Sequence, residues 1–411
     1  MKAVFSLEPR FLIPNPVFKA LPPLSLYVHF PWCARKCPYC DFNSHEARGT
    51  LPEARYVAAL VADIERALPQ VWGRRVHSVF LGGGTPSLIS AAAIDTVLAA
   101  VRARLALAPD AEITLEANPG TVDAGKFRDF RAAGVNRLSI GIQSFDPRHL
   151  GTLGRIHDER EARRAIEHAR AHFDNFNLDL MYGLPGQTVE EALSDVEQAL
   201  VFDPPHLSCY HLTIEPNTWF HRFPPKLPDD DTTAAMQDAI EARLAAAGYD
   251  HYETSAYAKS VIGQSPLATV GVRCRHNLNY WTFGDYLGIG AGAHGKLSFP
   301  GRILRQARVK HPERYMAGVE GNGPVEEERD VGVEEIPVEF MMNALRLNAG
   351  FAATLFEERA GLPLTAILRE LADAERRGLI ERDHAHIAPT ARGRRFLNDL
   401  LEIFLREKSA V

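Results

Sequence analysis

The sequence has few cysteines and no long hydrophobic run, and each scarcity excludes a class of protein. Five cysteines in 411 residues are odd in number and too sparse for a disulfide framework. No apolar stretch approaches the roughly 20 residues that cross a bilayer. The first 23 residues also lack the pattern of a signal peptide. Together these features predict a cytoplasmic protein.

An excess of charge of one sign is also missing. The chain has 46 basic and 52 acidic residues, a formal net charge of −6. This balance gives no bulk attraction to nucleic acid or anionic lipid, so we expect no nucleic-acid partner. Hydrophobic residues make up 46% and charged residues 24%, as in ordinary globular proteins.

Three of the five cysteines lie within eight residues, as Cys33-Ala-Arg-Lys-Cys37-Pro-Tyr-Cys40. Thiolates on a short loop are the ligands that iron–sulfur clusters need. Three thiolates would bind three irons of a cubane and leave the fourth iron open to another ligand. Zinc or structural thiols are the alternative, and a zinc site would need a fourth ligand such as His29 or His45.

Six apolar, β-rich runs alternate with helical patterns along the first half of the chain. The runs lie at 25–30, 77–81, 111–117, 136–142, 175–182 and 206–213. The helical patterns lie at 54–68, 91–106, 122–133, 159–172 and 188–201. This alternation predicts an α/β fold, a partial (β/α)6 barrel of the TIM type, with its chemistry at the carboxyl ends of the strands.

The remaining sequence divides into three further regions. A proline-rich stretch at 1–23 is predicted to be a flexible leader that precedes the barrel at 24–255. A connecting segment follows at 256–330. The last region, 331–411, shows an amphipathic helix, a short hairpin and another helix, which resembles a winged-helix domain.

Polar or glycine residues follow four of the predicted strands where each strand ends. Consecutive glycines let backbone N–H groups approach a ligand, and a buried polar side chain costs stability without a partner. Glu116 is equally compatible with a helix cap and a ligand contact. Convergence at one barrel mouth predicts a ligand site built from Gly83, Gly84, Thr85, Glu116, Gln143, Arg155 and Asp179.

The spacing CxxxCxxC, with Tyr39 before the last cysteine and a first strand just ahead, resembles the radical S-adenosylmethionine superfamily. The resemblance implies a [4Fe–4S] cluster on Cys33, Cys37 and Cys40, with S-adenosylmethionine on the open iron. A flavodoxin or ferredoxin is a possible electron donor. The implied S-adenosylmethionine contacts are the seven residues above together with Tyr27 and Tyr39.

Within that superfamily the chain resembles the oxygen-independent coproporphyrinogen III oxidase group, through GGGTPSL, EANPG, GIQSF and DLMYGLPG. The true oxidases carry another cysteine where this chain has Phe42, and they have a longer N-terminus. The segment His276-Asn-Leu-Asn-Tyr280-Trp281 instead matches the HNxxYW motif of HemW haem chaperones. This resemblance implies haem binding and transfer to an unidentified acceptor protein, with transient membrane contact possible through that acceptor. An oxidase or other radical enzyme of porphyrin metabolism is the alternative.

By the same resemblance, His276 is the leading candidate for the haem ligand, since imidazole is a common axial donor. Cys274 lies two residues earlier and could approach the iron. His294, in Gly-Ala-Gly-Ala-His-Gly, is a weaker candidate whose glycines we interpret as close-packed backbone. Tyr280 and Trp281 are either porphyrin-stacking or core residues. Compared with typical HemW proteins, the resemblance implies an insertion at about 259–272, whose role is open.

Two smaller interpretations complete the sequence-based account. Cys209 lies in an apolar strand and is predicted to be a core residue. A winged-helix-like tail can also read nucleic acid, and its helix carries three arginines, at 392, 394 and 395. Because the overall charge offers little more, we favour docking of the tail on the barrel or on a haem acceptor.

Overall fold

The computed structural model describes residues 14–259 and 272–405 of the chain. The strands are β1 (Leu24–Phe30), β2 (Trp32–Cys33), β3 (His45–Glu46), β4 (Arg75–Gly83), β5 (Ala106–Ala117), β6 (Arg137–Gln143), β7 (Phe176–Tyr182), β8 (His206–His211), β9 (Tyr249–Glu253), β10 (Ala256–Lys259), β11 (Asp285–Ile289), β12 (His294–Phe299), β13 (Arg302–Arg308), β14 (Val325–Asp330), β15 (Phe351–Ala352), β16 (Ile380–Arg382) and β17 (His386–Pro389).

The helices alternate with these strands in the first half of the chain and dominate its end. They are α1 (Glu53–Val71), α2 (Ala91–Arg104), α3 (Ala124–Ala133), α4 (Pro147–Thr152), α5 (Glu159–His172), α6 (Val189–Leu200), α7 (Trp219–Arg222), α8 (Asp230–Ala246), α9 (Arg275–Trp281), α10 (Pro312–Glu320), α11 (Ile336–Ala344), α12 (Thr354–Ala360), α13 (Leu368–Arg376), α14 (Ala391–Arg395) and α15 (Leu397–Glu402).

One sheet of twelve strands runs in the order β14-β13-β12-β11-β1-β4-β5-β6-β7-β8-β10-β9. The strands from β11 to β8 in this order are parallel, and the flanking strands are antiparallel. The prediction of six parallel strands linked by helices is confirmed, and β11 adds a seventh parallel strand beside β1. Side chains from β1, β4, β5, β6, β7 and β8 all line one cavity, which only a curved sheet allows. The sheet therefore forms an open barrel.

The segment 256–330 is more than the connection that the sequence suggested. It supplies β10 to β14, which extend both edges of the main sheet. Sequence pattern missed these strands because β11 and β12 contain glycines and β14, Val-Glu-Glu-Glu-Arg-Asp, is exposed along its whole length. Of the predicted insertion at 259–272, residues 260–271 lie outside the described residues.

The C-terminal region combines helices with a three-stranded sheet in the order β15-β17-β16, a winged-helix-like arrangement. Its core contains Phe340 and Phe356 and shares Phe283 with the barrel. Within the predicted leader, Val17 donates its N–H to the Gly361 carbonyl at 2.8 Å, and Phe18 packs against this core. Val17 and Phe18 thus contact the C-terminal region, while most of 14–23 is exposed, and the flexible leader stays a prediction. The domain boundaries at 23, 255 and 330 stay predictions.

The tail docks on the barrel at several points. Arg395 of α14 pairs with Asp238 of α8, and Arg305 of β13 donates to Glu339 of α11 at 2.7 Å. Part of the arginine cluster suggested for nucleic acid is thus used within the chain. In the described parts of the chain, no helix has the length and apolarity to cross a membrane.

Candidate functional site

A cavity of about 480 Å³ opens at the carboxyl ends of the parallel strands. The predicted site residues are scattered over 250 positions of the sequence, yet the barrel brings all of them to the wall of this one cavity. They are Tyr27, Cys33, Cys37, Tyr39, Cys40, Gly83, Gly84, Thr85, Glu116, Gln143, Arg155, Asp179 and His276.

The cysteine loop leaves β2 at Cys33 and turns back at Cys40, whose N–H donates to the Cys37 carbonyl at 3.2 Å. Burial raises the pKa of the Cys33 and Cys40 thiols. Arg155 donates through Nη1 to the Cys37 sulfur at 3.7 Å. A guanidinium beside a thiol stabilises the thiolate, so this loop is prepared for the negative charge of a thiolate cluster.

The cysteine donor set fits a multi-iron cluster better than zinc. Within residues 14–259 and 272–405, Asp146, His149 and Glu191 form the one group of three metal-binding side chains whose ligand atoms lie within 4.8 Å of one another. The three thiols are therefore spread more widely than a single ion requires. His29 is also engaged, because its Nδ1 bonds to the Tyr27 hydroxyl at 3.0 Å and its Nε2 to the Asn43 carbonyl at 2.8 Å.

The glycine loop after β4 lies directly against the cysteine loop. Gly84 donates to the Phe30 carbonyl and Thr85 to the Trp32 carbonyl, both at 2.7 Å. A Cβ atom on Gly84 would lie 2.5 Å from the Trp32 oxygen. Gly83 has a φ of 119°. The glycines are needed here because two backbones meet, and their contact fixes the loop that carries Cys33.

Two carboxyl groups face the cavity beside this loop. Glu116 accepts a hydrogen bond from the Gly83 N–H at 3.1 Å, and burial together with the charge of Asp179 raises its pKa to about 8. Asp179 accepts from Asn177 at 2.7 Å and from Ser139 at 3.1 Å, and burial raises its pKa to about 6. Ionising both groups at once is unfavourable, because burial and their mutual repulsion disfavour two negative charges.

Gln143 ends β6 in a left-handed conformation, with a φ of 67°. The pairing of β6 with β7 shifts register between Gly141 and Gln143, and Arg155 donates to the Gly141 carbonyl at 2.7 Å. Such a conformation costs a non-glycine residue on the order of 1–3 kcal/mol and is concentrated at functional sites. The strain turns Gln143 and Arg155 toward the same cavity.

The floor of the cavity holds polar residues that the sequence-based account missed. Arg137 is 2% exposed, and its Nε has no hydrogen-bond partner among the described residues. His206 bonds to Asn177 at 2.7 Å and to the Tyr252 hydroxyl at 2.9 Å. The period-two spacing of Asn177 and Asp179 in β7 was the available signal, since it places both on the inner face.

His276, the predicted haem ligand, uses both ring nitrogens in hydrogen bonds within the described part of the chain. It is 1% exposed on α9, its Nδ1 bonds to the Ser78 hydroxyl at 3.0 Å, and its Nε2 bonds to the Tyr280 hydroxyl at 3.1 Å. Burial lowers its pKa to about 3. The Ser78 bond holds α9 against β4, whereas the Tyr280 bond lies within α9, and the role of His276 as haem ligand stays a prediction.

The two remaining cysteines also have structural partners. The Cys274 thiol is buried and donates to Glu112 at 3.6 Å. The same Glu112 accepts the N–H groups of Arg275 and His276 and thereby caps α9. Cys209 belongs to the barrel core, as predicted, and burial raises its pKa to about 12.

Comparison with known proteins agrees with this geometry. Residues 27–199 match the model of the radical SAM superfamily, and residues 333–396 match the HemN C-terminal domain. The haem chaperone HemW of Escherichia coli is 51% identical over 94% of this chain and 99% of its own length. The chain belongs to the HemW family. HemW of Bacillus subtilis is 33% identical over 93% of this chain and 99% of its own length.

A solved structure supports the fold independently of these HemW sequences. The coproporphyrinogen III oxidase HemN of Escherichia coli, a radical SAM enzyme, superposes with a TM-score of 0.77 at 25% identity. The match covers 93% of this chain and 90% of that chain. HemW and HemN thus share the barrel and the C-terminal domain, so fold alone does not separate a chaperone from an oxidase.

Proposed function

We propose that this chain is a haem chaperone that binds haem, a [4Fe–4S] cluster and S-adenosylmethionine, and passes haem to an acceptor protein. The observation that carries this proposal is the 51% identity to a HemW haem chaperone across nearly the full length of both chains. The identity to the oxidase HemN is only 25% over a similar span.

The cavity residues have chemistry suited to the two cofactors. Cys33, Cys37 and Cys40 would hold three irons, and the fourth iron would supply an open position for the amino and carboxylate groups of S-adenosylmethionine. Glu116 and Asp179 would receive the positive charge of that ligand, since burial disfavours their ionisation without it. Arg155 would balance the negative charge of the cluster from its place beside Cys37.

Phe42 supports a chaperone over an oxidase. It occupies the position where the true oxidases carry a further cysteine, and its side chain is 61% exposed at the edge of the cavity. An exposed aromatic ring favours stacking on a flat apolar ligand and contributes no thiol chemistry.

Anaerobic reconstitution followed by two assays tests the proposal. We expect the reconstituted protein to bind about one haem per chain in a difference-spectrum titration. We also expect no decarboxylation of coproporphyrinogen III in the presence of reductant and S-adenosylmethionine. Authentic HemN assayed in parallel verifies that the substrate and reductant are competent. Stoichiometric haem binding without decarboxylation supports the chaperone, whereas decarboxylation without haem binding would replace it with an oxidase.

A further inference from the structure

One buried cation lies in the floor of the barrel cavity. Arg137 begins β6, its side chain lines the cavity, and the residue is only 2% exposed. Gln143, at the other end of the same strand, is one of the predicted S-adenosylmethionine contacts. The Cα atoms of these two residues are roughly 20 Å apart, at about 3.3 Å per residue of strand. Arg137 therefore lies near the amino ends of the parallel strands, away from the cysteine loop.

The guanidinium of Arg137 lacks the partners that a buried cation needs. In the described part of the chain it makes no hydrogen bond and no ion pair, and its Nε atom is buried without a partner. Burial lowers the pKa of Arg137, but nearby groups, Cys274, Glu112 and Asp179 among them, outweigh burial and raise it. Because arginine stays charged in proteins, an anion that enters the cavity would supply the missing contacts.

The neighbouring polar groups of the floor are already bonded to one another. His206 bonds through Nδ1 to the amide oxygen of Asn177 at 2.7 Å and through Nε2 to the Tyr252 hydroxyl at 2.9 Å. Ser208 donates to the same Asn177 oxygen at 3.0 Å. The amide nitrogen of Asn177 donates to the Ser139 hydroxyl at 2.8 Å. This network leaves the guanidinium as the group of the floor that can receive a ligand.

The surroundings of the guanidinium favour a carboxylate as that ligand. A planar guanidinium pairs with a carboxylate through two parallel hydrogen bonds. Phosphate fits the same fork, but its second negative charge would be repelled by the carboxyl groups of Glu112 and Asp179 nearby. Phe80 and Met181 also line the cavity. These apolar walls suit a ligand that carries one carboxylate on an apolar body.

We propose that the barrel floor is a second binding site, in which Arg137 holds the carboxylate of a small monocarboxylic acid. The acid would occupy the same cavity as S-adenosylmethionine, with the two ligands held from opposite ends of the strands. This site goes beyond the proposed haem function and does not depend on it, because it requires neither haem nor the HNxxYW motif.

Calorimetric titration of the full-length, reconstituted protein with hexanoate tests this site, with hexanamide as a neutral probe of the same shape. We expect about one hexanoate per chain, bound about tenfold more tightly than hexanamide, because hydrogen bonds between charged groups are the stronger ones. Arg137→Met should abolish this preference, and Arg137→Lys should keep part of it. Arg128→Met, whose wild-type side chain on α3 is 68% exposed, is the matched control and should bind hexanoate like the wild type.

Thermal melting separates a ligand site from a structural role. Arg137→Met removes a buried charge that has no partner, so without ligand its melting temperature should equal or exceed that of the wild type. Hexanoate should raise the melting temperature of the wild type and leave that of Arg137→Met unchanged. A marked fall in both Arg137→Met and Arg137→Lys would make the residue a structural one and overturn the site.

Other results of the titration would also overturn the assignment. Hexanoate binding that is unchanged in Arg137→Met would remove the guanidinium from the site. No binding of acetate, butyrate or hexanoate to the wild type would exclude a carboxylic acid, and a preference for inorganic phosphate would replace this ligand class. Weaker binding of haem or S-adenosylmethionine in Arg137→Met, with hexanoate unaffected, would assign the guanidinium to one of those ligands. A wild type that binds hexanoate but no haem would refute the proposed function and support this site.

Discussion

The two halves of the main sheet carry chemical side chains in different ways. In β1 and β4 to β8, polar residues face one cavity, and sequence position predicts those near the carboxyl ends of strands, such as Glu116 and Gln143. The floor residues Arg137 and His206 begin their strands and were not predicted. In the later part, α9 turns His276 inward to Ser78 of β4 and to Tyr280 of its own helix. A position near the carboxyl end of a parallel strand predicts where a side chain points, whereas a sequence motif on the short helix α9 does not.

The largest expected effect concerns the cysteine loop at the mouth of the barrel. Cys37→Ala removes one of three thiolates, and a cubane held by two is not retained. We expect iron and sulfide per chain to fall to near zero after anaerobic reconstitution. Cys209→Ala, in the core of β8, is the matched control and should keep its cluster. A variant lacking Cys37 that still holds four irons per chain would show that the loop is not the cluster site.

The second prediction concerns the extension of the main sheet formed by β11 to β14. Asp285 is fully buried, pairs with Arg74 at 2.8 Å and Lys296 at 3.0 Å, and accepts from the Ser298 N–H at 2.8 Å. Asp285→Ala leaves Lys296 buried without its counterion and should lower the free energy of unfolding by about 3–5 kcal/mol. Urea denaturation measures the change.

The control for that variant is an exposed pair in the same extension. Asp330 pairs with Arg302 at 3.3 Å, both half exposed, so Asp330→Ala should cost about 0–1 kcal/mol. Equal losses in the two variants would show that the extension is held by surface charges rather than by the buried network.

The third prediction tests the contact between the glycine loop and the cysteine loop. Gly84→Ala places a methyl group against the Trp32 carbonyl and should cost about 1–3 kcal/mol while weakening cluster retention. Gly151→Ala, in open space on α4, is the control and should change neither property. Thermal melting measures the loss of stability, and iron content measures cluster retention. If Gly84→Ala changes neither, the contact between the glycine loop and the cysteine loop does not support the cluster.

The smallest expected effect is a pH dependence from Glu116. Its pKa is about 8 in the folded chain against 4.5 for a free glutamate, so folding keeps a proton that the unfolded chain releases. Stability therefore falls as pH rises from about 4.5 through 8. Because the side chain is partly exposed, we expect Glu116→Gln to reduce the loss of unfolding free energy between pH 5.5 and 8.5 by only about 1–2 kcal/mol. Urea denaturation of both proteins at the two pH values measures this difference, and an equal loss in the two proteins would contradict the prediction.

Much of the fold was predictable because its signals are local. Apolar runs predicted the six parallel strands of the main sheet between 24 and 211, and the helical patterns between these runs predicted the connecting helices. The convergence of Glu116, Gln143 and Asp179 followed from parallel strands ending at one edge. The inward turn of α9, the buried Lys296 and the buried Arg137 depend on which strands become neighbours. No single stretch of sequence contains that information.

The most direct test of the account is a haem titration of the anaerobically reconstituted protein, with S-adenosylmethionine present and absent. We predict about one haem per chain in both titrations. No stoichiometric haem binding in either titration would contradict the proposed haem function.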